Sequence, residues 1–157
     1  MKSFTTFNVL ENITTILREQ WVEAFGIRPS VDKKYDRTII GNIGAQSAEQ
    51  ILVYADSEKS EPYDVGGAIS NITYHNTVQI SIDVHTNRSE ERIEQVVAGI
   101  HEILKKNITI LPQEGDKFSL RRIRMGNTQN LSDRSRKAFR MVVDATVETY
   151  LENDREF

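Results

Sequence analysis

Between Thr77 and Leu104 the hydrophobic period of the chain changes from two to about 3.6. Val78, Ile80, Ile82 and Val84 alternate with Thr77, Gln79, Ser81, Asp83 and His85, the pattern of a half-buried strand. After a short polar link, Ile93, Val96, Val97, Ile100, Ile103 and Leu104 recur at helical spacing over residues 89–106. Ser89 stands where an N-cap belongs, Glu90 and Glu91 suit the first turn, and Lys105 and Lys106 suit the last. A one-sided strand feeding a one-sided helix predicts a sheet covered on one face and open on the other.

The same reading extends along the chain. Ile13, Ile16, Leu17, Trp21, Ala24 and Phe25 predict a first amphipathic helix from Asn8 to Phe25, closed by Gly26 and Pro29. A short strand is expected at Thr38–Ile40, a polar loop at Gly41–Glu49 and a buried strand at Gln50–Ala55. Asp56–Gly67, with Pro62 and the Gly66-Gly67 pair, reads as an exposed loop. Ile69–Tyr74 reads as a strand joined to the next through a tight turn at His75-Asn76, giving a central hairpin over 69–85. Lys117–Met125 and Ala138–Tyr150 are the last two strands, separated by a polar loop at Gly126–Lys137, and 151–157 is a tail. The expectation is one domain over 1–157, of α/β (α+β) class. Its sheet is mainly antiparallel and twisted, with two helices packed on one face.

Composition narrows the chemistry. The 157 residues include no cysteine, so disulfides and thiolate metal sites are excluded. Met1–Thr6 lacks the apolar core of a signal peptide, and no apolar run approaches membrane-spanning length. There is no nucleophile elbow, phosphate loop or dinucleotide fingerprint, and Gly41-Asn42-Ile43-Gly44 is only a glycine pair in a loop. Asp83 and His85 share a strand face, but two ligands without a third at defined spacing make a poor metal site. An exposed polar face explains them better, and His101, off its helix's apolar stripe, reads as solvated. No catalytic residue, cofactor site or metal site is expected, and the chain is not expected to be an enzyme.

Charge is segregated. Lys117 to Arg140 carries eight basic residues and one acid, a local +7, so the rest of a chain of net −3 carries −10. Such a segment suits a solvated surface, a nucleic-acid surface neutralising phosphates, or a subunit interface. Arginine outnumbers lysine six to two there, which favours the interface. The candidates to lie at that interface or to face DNA are Arg121, Arg122, Arg124, Arg134, Arg136, Lys137 and Arg140. The expected partner is the acidic loop of a neighbour, with Asp56, Glu58, Glu61 and Asp64.

The order of elements resembles the tail terminator (tail completion or head–tail joining) proteins of long-tailed phages and related archaeal viruses. The resemblance runs from the first helix to Tyr150. It is carried by Asn76–His85 with its Glu-rich helix, the basic strand, and the long final strand Phe139–Tyr150. It implies a homo-oligomeric ring, usually a hexamer, that caps the tail tube and meets the head connector. The virion neck or tail, assembled in the host cytoplasm, would be its location, with no membrane involved. A globule of this length has a radius of gyration of roughly 15 Å, and six in a circle leave an opening of about 40 Å. That passes duplex DNA without sequence-specific contact. The open face (Gln79, Ser81, Asp83, Thr146, Glu148) would line the channel or an interface. Another neck ring, or a nucleic-acid-binding domain using residues 117–140, are the alternatives.

Overall fold

Strict alternation keeps one face of a strand dry for as long as a neighbouring layer can cover it, and the longest strands here exploit that. The computed structural model describes residues 4–34, 49–62, 71–107, 109–110 and 118–154, with side chains at 9–33, 49–60, 75–107 and 122–149. Helix α1 (Phe4–Glu19) is followed by a 3-10 turn (Glu23–Phe25) and strands β1 (Ser30–Lys34), β2 (Glu49–Pro62) and β3 (Asn71–Thr86). Helix α2 (Glu90–Lys106), β4 (Thr109–Ile110), β5 (Phe118–Asn130), a second 3-10 turn (Arg134–Arg136) and β6 (Phe139–Asp154) complete the order. The sheet runs β1-β2-β3-β6-β5-β4, with β1 parallel to β2 and every other pairing antiparallel. The fold is α+β, as the periodicities predict.

One apolar cluster joins the helices to the sheet. Leu10, Ile13 and Leu17 of α1 and Ile93, Val96, Ile100 and Leu104 of α2 pack onto Ile51, Val53, Val78, Ile80, Ile82, Val84, Val143, Ala145 and Val147. The alternating residues of the strands face the other way, and among the described residues Leu52 and Tyr54 form a small second cluster there. Ser89 caps α2 by accepting a hydrogen bond from Arg92 N at 3.0 Å. Ser89→Ala is expected to cost about 1 kcal/mol, measurable as a lower urea midpoint with an unchanged m-value.

Several boundaries depart from expectation. Helix α1 ends at Glu19, and the chain passes Trp21 into a 3-10 turn at Glu23–Phe25 instead. The rings of Trp21 and Phe25, edge to face at 6.2 Å, settle over Gly99 of α2, where a Cβ would lie 2.9 Å from Trp21. Those aromatics fit helical spacing, so periodicity could not separate the two cases. No hairpin turn occurs at His75-Asn76: β3 runs through it, with Asn76 opposite Thr149 on one side and Ser60 on the other. Ile72 and Tyr74 keep the parity of Val78, and neither turn position is the glycine that tight hairpins favour. Asp56–Pro62 is not a loop but the second half of β2, entered through a bulge between Ala55 and Ser57. Its polar residues are held extended by pairing with β3, not by burial of their own. Strand β5 likewise passes Met125 to Asn130, so the loop expected at 126–137 shrinks to a turn closed by the Asp133–Ala138 bridge. The expected tail begins in strand, since β6 reaches Asp154. Strand β1 lies earlier than the one expected at Thr38–Ile40, and that stretch, like 41–48 and 63–70, lies outside the described residues.

Candidate assembly surface

The uncovered face of the sheet is polar but not loosely arranged. Asp83 is fully buried on it, although neither described helix packs on that face. Arg140, one strand over on β6, donates from Nε to Oδ1 at 3.0 Å and from Nη2 to Oδ2 at 2.8 Å. His85 places Nε2 3.0 Å from Asp83 Oδ1. Burial by itself raises the Asp83 carboxyl, but its contacts with His85 and with the Arg140 guanidinium prevail and hold it below the ordinary carboxylate range. Asp83 in turn raises Arg140 further. The pair thus bolts β3 to β6. The Asp83–His85 combination considered for a metal is engaged with a guanidinium, and no cluster of metal-binding residues occurs among the described residues.

Beside this bolt, Ser81 Oγ donates to Asp56 Oδ2 at 2.5 Å and lies 3.2 Å from Asp144 Oδ1. These groups border a concavity of about 480 Å³, with Tyr54, Gln129 and Arg140 on its rim. Its hollow shape follows from β5. The ladder jumps from Met125–Ala145 to Thr128–Val143, so Asp144 faces the bulge at Gly126-Asn127. A Cβ at Gly126 would stand 3.1 Å from the Asp144 carbonyl oxygen. A glycine inside a strand here means close backbone approach.

The basic candidates separate into bound and unbound groups. Arg124 pairs with Glu148 at 3.0 Å across β5 and β6. Arg134 donates from Nη2 to Glu90 Oε1 at 2.6 Å, tying the β5–β6 turn to the first residue of α2. Arg140 is engaged with Asp83. Arg136 meets only Asp133, at 3.7 Å, with its side chain 84% exposed. Arg122 and Lys137 are exposed, and Lys137 adopts the left-handed conformation at φ 52°. Asp133 caps this turn; hydrogen bonding from the Ser135 hydroxyl lowers its carboxyl. Arg121 sits in register with Thr149 and Ile110. Of the acidic candidates, Asp56 and Glu58 lie on β2, exposed, Glu61 pairs in register with His75, and Asp64 lies outside the described residues.

His101 is half-buried rather than solvated: its Nε2 lies 3.2 Å from Thr128 Oγ1, and burial followed by Lys105 lowers its pKa. Arg92 escaped the sequence reading altogether. It is buried at the foot of α2, where it pairs with Glu49 and donates to the Phe25 and Ile27 carbonyls. Its place at helical spacing from Val96 was the available signal. Asp144 was also missed as a site residue; nothing in the sequence marks the bulge opposite it except Gly126.

No helix among the described residues is long and apolar enough to cross a membrane. No protein-family profile matches the sequence. No curated protein matches it either. A chain from the virion of a native gene transfer agent particle shares the fold, with a TM-score of 0.60 at 11% sequence identity. The match covers 94% of this chain and 99% of that one. At that identity the likeness is one of fold.

Proposed function

We propose that the chain is a virion structural protein: a tail-terminator-like subunit of a ring at the head–tail junction. The ring caps the tail tube and joins it to the head connector. The fold shared with a gene-transfer-agent virion chain, over nearly the full length of both, carries this reading. Charge supports it. Arg124, Arg134 and Arg140 are engaged within the chain, which lowers the free charge that the basic segment offers duplex DNA and suits a conduit. The partners are further copies of the chain, most simply six, together with tube and connector proteins. DNA passes through the opening without being read.

Disrupting the gene in a genome that makes the particle is expected to yield separate heads and tails by electron microscopy. Joined, DNA-delivering particles would overturn the proposal. A nucleic-acid-binding role predicts instead a salt-dependent affinity for duplex DNA in the purified chain, carried by Arg122, Arg136 and Lys137. Its absence at low salt would exclude that role.

A further inference from the structure

Asp144 lies in the hollow of the open face, with no cation within ion-pair distance among the described residues. Among the described residues its hydrogen-bond partner is the Ser81 hydroxyl at 3.2 Å, whose single proton is shared with the closer Asp56 at 2.5 Å. The neighbouring cations are already engaged, Arg140 with Asp83 and Arg124 with Glu148. The hollow over Asp144 has room for a long basic side chain.

Exposed cations among the described residues lie at Arg122 on β5 and on the turn that follows it, where Arg136 is 3.7 Å from Asp133. Arg136 and Lys137 project from the turn between β5 and β6. Arg134 draws that turn toward Glu90, the first residue of α2, and α2 packs on the covered face of the sheet. Within a subunit neither cation of the turn reaches Asp144: Arg136 meets Asp133, and Lys137 has no carboxylate within ion-pair distance among the described residues. The turn of a second copy can be brought over the hollow. Donor and acceptor on different surfaces make a heterologous contact, the kind that propagates head to tail and closes into a ring when the rotation allows.

We propose that Arg136 and Lys137 of one copy dock over the concavity of the next and neutralise Asp144. This contact rests on the ring reading and assigns its residues. It forms along the ring once per subunit, and its strength falls as salt rises, because both partners remain near solvent.

The chain has no cysteine, so crosslinking between single introduced thiols reports the contact cleanly. Asn127→Cys marks the concavity, and Ala138→Cys marks the turn without removing a cation. Oxidising the two variants together is expected to give a mixed crosslinked dimer, with little product from either alone. Asp144→Lys in the Asn127→Cys chain is expected to lower the yield roughly ten-fold. Arg136→Glu with Lys137→Glu in the other chain is expected to restore it. Asp144→Asn, of the same shape, replaces the reversal if that variant does not fold. Rings visible by electron microscopy whose crosslinking ignores Asp144 would overturn the docking and leave the ring standing. A chain that neither crosslinks nor forms rings, alone or on tail tubes, would overturn both. Loss of joining to tubes on Asp144→Lys, without any crosslink between copies, would assign the concavity to the tube protein and overturn self-docking.

Discussion

Replacing Arg92 by alanine is expected to lower the unfolding free energy by about 3–5 kcal/mol. The side chain is only 7% exposed and directs its donors to three separate parts of the chain. Nη1 donates to the Phe25 carbonyl at 2.6 Å and to Gln95 Oε1 at 3.0 Å. Nη2 donates to the Ile27 carbonyl at 2.5 Å and to Glu49 Oε2 at 3.2 Å, while Nε is held by the other Glu49 oxygen. Removing it takes the donor from two carbonyls at once and leaves Glu49 with the more distant Arg88 and the Thr86 hydroxyl, and unmatched groups cost more than the bonds contributed. Gly26 belongs to the same arrangement, since a Cβ there would lie 2.5 Å from Arg92 Nη1. Arg92→Lys should recover only part of the loss, because a point charge cannot span a carboxylate and two carbonyls. Urea unfolding checks both variants; a loss below about 1 kcal/mol for alanine would contradict the role given to Arg92.

Arg140→Ala is expected to cost about 3 kcal/mol, in folding rather than in assembly alone. It leaves Asp83, with no exposed surface, facing His85 alone among the described residues. Asp83→Ala should cost less, because the side chain of Arg140 is 33% exposed and can turn to water. The pH dependence has a defined sign. The folded-state pKa of Asp83 lies below its unfolded value, so its contribution is complete above the ordinary carboxylate range. It declines as pH falls through the lowered folded value. The stability difference between wild type and Asp83→Asn should accordingly stay constant from neutrality to about pH 4 and shrink below that. A difference that grows on acidification would exclude the assignment.

Helix α2 was legible because three signals agree on it: the Ser89 cap, the glutamates of its first turn and an unbroken apolar stripe. The core half of β3 was legible for a similar reason, since each inward residue from Val78 to Val84 is aliphatic. What escaped was structure imposed from outside the segment. The second half of β2 is polar, and pairing with β3 makes it a strand. The 3-10 turn at Glu23–Phe25 follows from how Trp21 and Phe25 meet Gly99, some seventy-five residues away in sequence. On the candidate surface, the arginine-rich segment was visible as composition, but its division between bound and unbound cations was not. Arg140 belongs to the fold because β6 lies beside β3, an adjacency that the order of elements does not announce. Asp144 becomes noticeable only once the β5 bulge removes the side chain opposite it.

The ladder between β3 and β6 extends over all 16 residues of each strand, from Asn71 opposite Asp154 to Thr86 opposite Phe139. Its strength depends on direction. A pull along the strands loads its rungs together in shear, whereas a pull across them opens one rung at a time. Strands of that length extend about 54 Å, and α2, at 17 residues, only about 26 Å. The molecule is therefore stiffest along the strands, and a tensile load is best borne with its anchor points at opposite ends of β3 and β6.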